Sequence, residues 1–366
     1  MKRSIVLAAT VAAAGLLVMP GCGTLNSALV TGQNQSLLAV NMETDGVIGS
    51  VTMPAAAAIP TGLRTPVLTF DSTVAFLTGG DDLTYQLRID ETSITLSAAP
   101  PVPIPDDGRV LDSAAVNPWT LVRSNPDPGG FALTANNTFD LRTAVSSVAF
   151  PDFFEQAVVC DDGSTVLVRQ TYPARIRLFT LDRVGVLADT GHALDLDSTP
   201  MWVACAPGAT AGAVMLPVGA DASVVSFRID LTAGLTRADT AVSHAVASGA
   251  MGPINNSVAF AFDGSGLFLR SSSIIGDGQD GWIERRSFDP ATAMLGDTAS
   301  YTSRAGVSYV AGLHQIGVHP EGGRIYLPNA FARGGRIDIL DATTGARMGG
   351  LTHADMPNPV EFVVEH

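Results

Sequence analysis

Apolar residues along this chain recur in short runs with a period of two, as in IGVH, RIYLPN, RIDIL and ARMGGL within residues 316–351. The runs are separated by Glu-Gly-Gly, Arg-Gly-Gly and Asp-Ala-Thr-Thr-Gly. Alternation over that length turns one side of a strand toward a core, and the separators supply the positive φ and the Asx turns that hairpins need. The stretch therefore reads as an antiparallel unit of about four strands, too small to bury a face without neighbours. The same phase, an apolar strand ending at an aspartate that opens a turn, recurs at Asp45, Asp90, Asp140, Asp182, Asp230, Asp289 and Asp341, spaced 42–59 residues apart. The copy ending at Asp140 is the weakest, and a proline-rich loop precedes it. No window carries helical spacing of apolar residues beyond two turns, so helix should be nearly absent. A strand-only period in the forties predicts an all-β, seven-bladed β-propeller.

The two ends of the chain predict how the ring closes. Residues 36–53 look like the second half of a blade, whereas residues 359–364 (PVEFVV) look like an innermost strand. The C-terminal strand should therefore join the N-terminal strands in one sheet, with residues 27–31 supplying a further strand, which removes two sheet edges. The expected organisation is a leader over residues 1–21, a tether over 22–35 and the propeller over 36–366.

Lys2 and Arg3 precede an apolar stretch, residues 5–19, that is too short to span a bilayer, the pattern of a secretion signal. It ends in Met19-Pro20-Gly21-Cys22, which resembles the lipobox of bacterial lipoproteins. The resemblance implies cleavage before Cys22 and a lipid on that cysteine; a plain cleaved signal stays open beside it. Gly23 in place of an aspartate favours the outer membrane, again by resemblance. The whole chain carries a net charge of −14, and loss of Lys2 and Arg3 with the leader makes it more acidic still. That balance excludes nucleic acid as a partner and leaves the lipid as the means of membrane contact. A monomer is expected.

Cys160 and Cys205 occupy the same strand of consecutive repeats, so a radial fold sets them side by side. An oxidising compartment leaves two readings, a disulfide or two buried thiols.

The turn and strand motifs Pro320-Glu321-Gly322, Ile325-Tyr326-Leu327 and Leu340-Asp341-Ala342-Thr343-Thr344-Gly345, echoed at Asp263-Gly264 and Phe288-Asp289-Pro290-Ala291-Thr292, resemble the YVTN-type repeats of lactonase-like seven-bladed propellers. The resemblance implies the fold; the motifs shape turns and carry no chemistry. Metal-dependent lactonase propellers hold calcium at strand starts, and Asn136, Asn137, Asp152, Asn255 and Asn256 stand in comparable places. Otherwise the residues offer no catalytic set, no cofactor site and no metal site. His314 and His319 fall on opposite faces of a regular strand, no Gly-x-Ser-x-Gly elbow occurs, and the paired aspartates sit in turns. The Arg-Ile-Asp segments at 88–90, 228–230 and 336–338 read as surface register devices. Trp119, Phe153, Phe154 and Trp282, near the longer loops, are the candidates for a partner surface. The expected function is a non-catalytic envelope module that binds a protein, glycan or small ligand. Its alternatives are a lactonase-like hydrolase at the channel mouth, with calcium where needed, and a structural spacer.

Overall fold

The computed structural model describes residues 27–32, 36–54, 66–69, 73–79, 81–104, 108–114, 116–127, 130–218, 221–243, 257–275, 278–301, 316–329, 336–354 and 359–364. Seven antiparallel sheets form seven blades, and among the described residues there is no helix. From the axis outward, blade 1 is Pro359–Val364, Ser27–Gly32, Ser36–Asn41 and Gly46–Thr52. Blade 2 is Val67–Leu68, Val74–Thr78, Leu83–Ile89 and Ile94–Leu96, with Val102–Pro103 added to its third strand. Blade 3 is Arg109–Ser113, Trp119–Asp127, Gly130–Asn137 and Asp140–Phe150, and blade 4 is Phe154–Val159, Thr165–Gln170, Arg175–Leu181 and Leu187–Asp195. Blades 5, 6 and 7 open with Trp202–Cys205, Ser257–Phe260 and Gly317–Val318 and end with Gly234–Val242, Met294–Tyr301 and Arg347–Leu351. The first strands touch one another around a closed ring.

The C-terminal strand closes that ring as the sequence pattern predicts: Ala28 pairs with Val364 and Leu29 with Val363. Ser27–Gly32 is thus a strand of the propeller, and the stretch expected as a tether contributes this strand to blade 1.

Each interface between neighbouring blades has its own apolar cluster, seven in all, because every strand sends alternate side chains to opposite neighbours. The largest joins blades 3 and 4, where Phe150 stacks against Phe154 at 4.5 Å and Phe179 at 5.5 Å. Phe154 is fully buried there, and Trp119 is only 8% exposed, its indole N–H donating to the Arg183 carbonyl at 3.2 Å. Neither faces a partner, which corrects the expectation for both: burying a large aromatic between blades outweighs proximity to a loop.

The phasing aspartates do what their position implied in five repeats. Asp90, Asp182, Asp230, Asp289 and Asp341 each accept backbone N–H groups of their own turns. In blades 1 and 3 that role falls to Asn41 and Asn137. Asp45, at φ 52°, instead crosses to blade 7, where it accepts from Tyr326 Oη at 2.7 Å and pairs with Arg324. His319, 1% exposed, adds a contact of 3.0 Å to the Met42 carbonyl at the same junction.

Candidate functional site

The first strand of a blade has one edge unpaired within its sheet, and those edges converge on the axis. There they wall a cavity of about 220 Å³ lined by residues of blades 2 to 7. Four of the charged or amide side chains of this wall, Arg109, Asp112, Glu155 and Gln156, come from two first strands that carry β-bulges. In blade 3, Leu121 pairs with Asp112 and Val122 with Val110, so Leu111 is the extra residue. In blade 4, Phe154 pairs with Gln170 and Gln156 with Arg169, which makes Glu155 the extra one. A bulge shifts the alternation by one and re-aims the side chains beyond it. Arg109 and Asp112, three apart, thereby both reach the cavity lining.

At the end where the first strands begin, arginines tie blade 3 to blade 4 and blade 4 to blade 5. Arg123 Nη1 donates to the Phe154 carbonyl at 2.7 Å, and Arg169 Nη1 donates to the Pro200 carbonyl at 2.5 Å, in each case 31 residues further along. Arg270 holds the same place in blade 6, judged by the hairpin register, and is 1% exposed. Arg169 Nη2 also pairs with Glu155 Oε2 at 2.5 Å, and Arg109 donates to the Glu155 carbonyl. Burial pulls the Arg169 guanidinium below its ordinary value, and the Glu155 charge opposes that pull. Phe153, half-buried, lies edge-on to Phe131 at 5.1 Å and under Arg123 at 4.7 Å, so it belongs to this junction. Replacing Arg169 by Met removes the ion pair and the bond to Pro200. Because Glu155 keeps 38% of its side-chain surface in solvent, the expected cost is about 2–3 kcal/mol, below that of a fully buried pair. The melting midpoint should fall by about 3–4 °C; an unchanged midpoint in calorimetry would show that the tie contributes nothing.

Asp112 is an ionisable group of the cavity wall that burial perturbs. Its Oδ2 accepts from Val159 N of blade 4 at 2.7 Å and its Oδ1 from Ser113 N at 2.9 Å. Burial raises its pKa to about 7, with those two N–H groups pulling the other way. A carboxyl raised in this way favours the folded state most while it is protonated. Its contribution to stability is thus present at low pH and declines as pH rises from about 4 to about 7. The turn aspartates Asp90, Asp162, Asp230, Asp263, Asp289 and Asp341 act in the opposite sense. Their carboxyls are held low by backbone and hydroxyl donors, and the stability they add is lost as pH falls through their folded values.

Gln156 completes the wall by bonding both ways to Val203, at 3.1 Å in each direction. Below it, Cys160 and Cys205, with Cα atoms 5.5 Å apart, form a disulfide between the first strands of blades 4 and 5 and line the same cavity.

Of the residues weighed for calcium, Asn136 and Asn137 lie away from this cavity. Asn136 spends its side chain on Thr134 Oγ1 and the Leu141 carbonyl, and Asn137 caps a turn, both at the far end of the third strand of blade 3. Asn255, Asn256 and His314 lie outside the described residues, as does Cys22. Among the described residues no group of three or more His, Cys, Asp or Glu is placed to hold a metal. Trp282 sits in the third strand of blade 6, opposite Ser271, with its side chain outside the described set. The Arg-Ile-Asp segment of blade 7 is no surface device: Asp338 is 1% exposed and holds Arg336 at 2.7 Å and Arg347 at 2.9 Å. In the other two such segments Asp90 and Asp230 cap turns.

No protein family and no curated protein matches the chain. Solved structures do. A functionally unknown protein of Desulfotomaculum acetoxidans superposes with a TM-score of 0.69 at 13% identity, over 93% of this chain and 99% of that one. The periplasmic gluconolactonase of Pseudomonas aeruginosa gives 0.65 at 14% identity, over 93% and 99%. A candidate 6-phosphogluconolactonase of Bacteroides fragilis gives 0.64 at 12%, over 95% and 100%. At these identities what the chains share is the fold, a single ring of blades running through nearly the whole of each.

Proposed function

We propose that the protein is a hydrolase that opens the ring ester of a lactone in its axial cavity. The observation that carries this reading is the Asp112 carboxylate in the cavity wall, held by two backbone N–H groups, with Arg109 on the same bulged strand lining the same space. A carboxyl whose pKa is about 7 is matched to accept a proton near neutrality. In the reaction, a water molecule gives a proton to Asp112 as its oxygen bonds to the lactone carbonyl carbon. Positive charge from Arg109 stabilises the oxyanion that forms. The ring C–O bond then breaks and the departing alkoxide takes the proton back from Asp112, leaving a hydroxy acid that ionises into solvent. The likeness to the gluconolactonase of Pseudomonas aeruginosa agrees with this chemistry at the level of fold. No feature of the cavity favours a binding module without turnover, or a spacer, over hydrolysis.

Ring opening can be followed by base uptake at constant pH. The wild-type rate should rise through a limb near pH 7, and Asp112→Asn should lower it by about 10²–10⁴-fold while the melt stays cooperative. The same substitution should flatten the stability change between pH 4 and 7. A variant that keeps the wild-type rate would sink the assignment.

We also infer export: the leader over residues 1–21, the disulfide and the periplasmic relative agree with it. Lipid attachment at Cys22, and with it an outer-membrane address, is part of the same proposal. Labelling with a palmitate analogue that disappears in Cys22→Ala is its test.

A further inference from the structure

The cavity wall is divided by blade. Among the described lining residues, every charged or amide side chain belongs to blades 3 and 4: Arg109, Asp112, Glu155, Gln156, Asp161 and Arg169. Among the described lining residues, those of blades 2, 5, 6 and 7 carry hydrocarbon and aromatic side chains, such as Leu68, Ala204, Val258, Phe260 and Ile316, together with Cys205 of the disulfide. A sugar lactone carries hydroxyls around its whole ring. Seated here, it would meet strand edges but, among the described residues, no charged or amide side chain for the hydroxyls on one side, and each hydroxyl left unpaired costs roughly tenfold or more in affinity. An amphiphile meets no such conflict.

We infer that the substrate is a lactone bearing a hydrocarbon tail. Its ester group turns to the wall of blades 3 and 4, and its tail packs along the wall of blades 2, 5, 6 and 7. This rests on the hydrolase reading above and adds the class of compound hydrolysed. Size agrees with a short buried tail: an apolar cavity of ~150 Å³ holds benzene, so about 220 Å³ accommodates a six-membered lactone ring and roughly two further carbons, with a longer tail running on toward the cavity mouth.

The test compares δ-valerolactone, δ-octalactone, δ-decalactone and glucono-δ-lactone on the full-length protein, by base uptake and by thermal shift. kcat/KM should climb by up to about fourfold for each added methylene that is buried, and δ-decalactone should exceed glucono-δ-lactone. Ala204→Phe, which fills the apolar side, should move the optimum to shorter chains. Ala204→Ser, which changes little volume, should reduce the slope with chain length and serves if the Phe variant fails to fold. Faster opening of glucono-δ-lactone, or no dependence on chain length, overturns the substrate class and leaves the hydrolase standing. If no lactone is opened, the hydrolase reading falls. In that case a midpoint raised by δ-decalactone but not by glucono-δ-lactone upholds the amphiphile site, and no shift with either overturns it too.

Discussion

Removal of residues 357–366 is expected to abolish cooperative folding. The last strand, Pro359–Val364, is the innermost of blade 1 and pairs along Ser27–Gly32 from Ala28 to Gly32. Without it that neighbour becomes an unpaired edge. Its side chains Leu29 and Val30, now fully buried, would face the gap. The first strands of blades 2 and 7 would also lose the strand they touch. Each large apolar side chain brought back to water costs about 1.5–3 kcal/mol. Several of them, added to five lost strand pairings, reach the 5–15 kcal/mol that is the whole stability of an ordinary domain. Circular dichroism of the truncated chain should show no sharp transition, and a synthetic peptide of residues 357–366 should restore one in trans. A truncated protein that melts at the parent temperature would overturn this account of closure.

The second large effect concerns the staple between blades 4 and 5. Cys160 and Cys205 are separated by 45 residues. A loop of that length closed by a disulfide removes denatured-state entropy worth up to about 4 kcal/mol at room temperature in the chain-entropy model. Reduction, or the double substitution Cys160→Ala/Cys205→Ala, should therefore lower the melting midpoint by roughly 5 °C. The double variant should no longer respond to reductant. Coincident melts with and without reductant in the wild type would show that the bond adds nothing to stability. The blade 4–5 cluster of Leu167, Val203, Val214 and Phe227 around the cysteines is apolar on its own account. Loss of the bond should consequently weaken the ring without opening it.

Blade number and closure were legible because they follow from repetition. A turn that needs an Asx side chain at one position writes that side chain into each copy, and a chain that starts in mid-blade must end with the missing strand. The phase was misread where Asn replaces Asp: Asn41 and Asn137 cap turns assigned to Asp45 and Asp140. Asp45 was thus free for a different role, the contact with Tyr326. The site was harder to see for two reasons. Asp112 lies in the poorest copy, inside a stretch that reads as a proline-rich loop, and its access to the cavity depends on a bulge at Leu111 that no alternation pattern announces. The inter-blade arginines did leave a signal. LVRS at 121–124, LVRQ at 167–170 and FLRS at 268–271 place an arginine after two apolar residues at equivalent points of three second strands. An arginine closing an apolar strand in several repeats must find acceptors at the strand end, here the carbonyls of Phe154 and Pro200. Trp119 and Phe154 misled for the converse reason: a large aromatic beside a loop reads alike whether it faces solvent or the next blade.

Three side chains reach forward to the next blade over one and the same distance along the chain: Asp112 to Val159, Gln156 to Val203 and Asp161 to Gly208 all span 47 residues. A constant pitch restricts how such a protein can change length in evolution. One residue gained between Asp112 and Val159 displaces an acceptor from its donor and throws a strand out of phase. A duplicated segment of one full pitch, in contrast, arrives with its own acceptors already opposite new donors. Rings of this kind should therefore grow or shrink by whole blades through this region, and small insertions should accumulate where no such bond crosses.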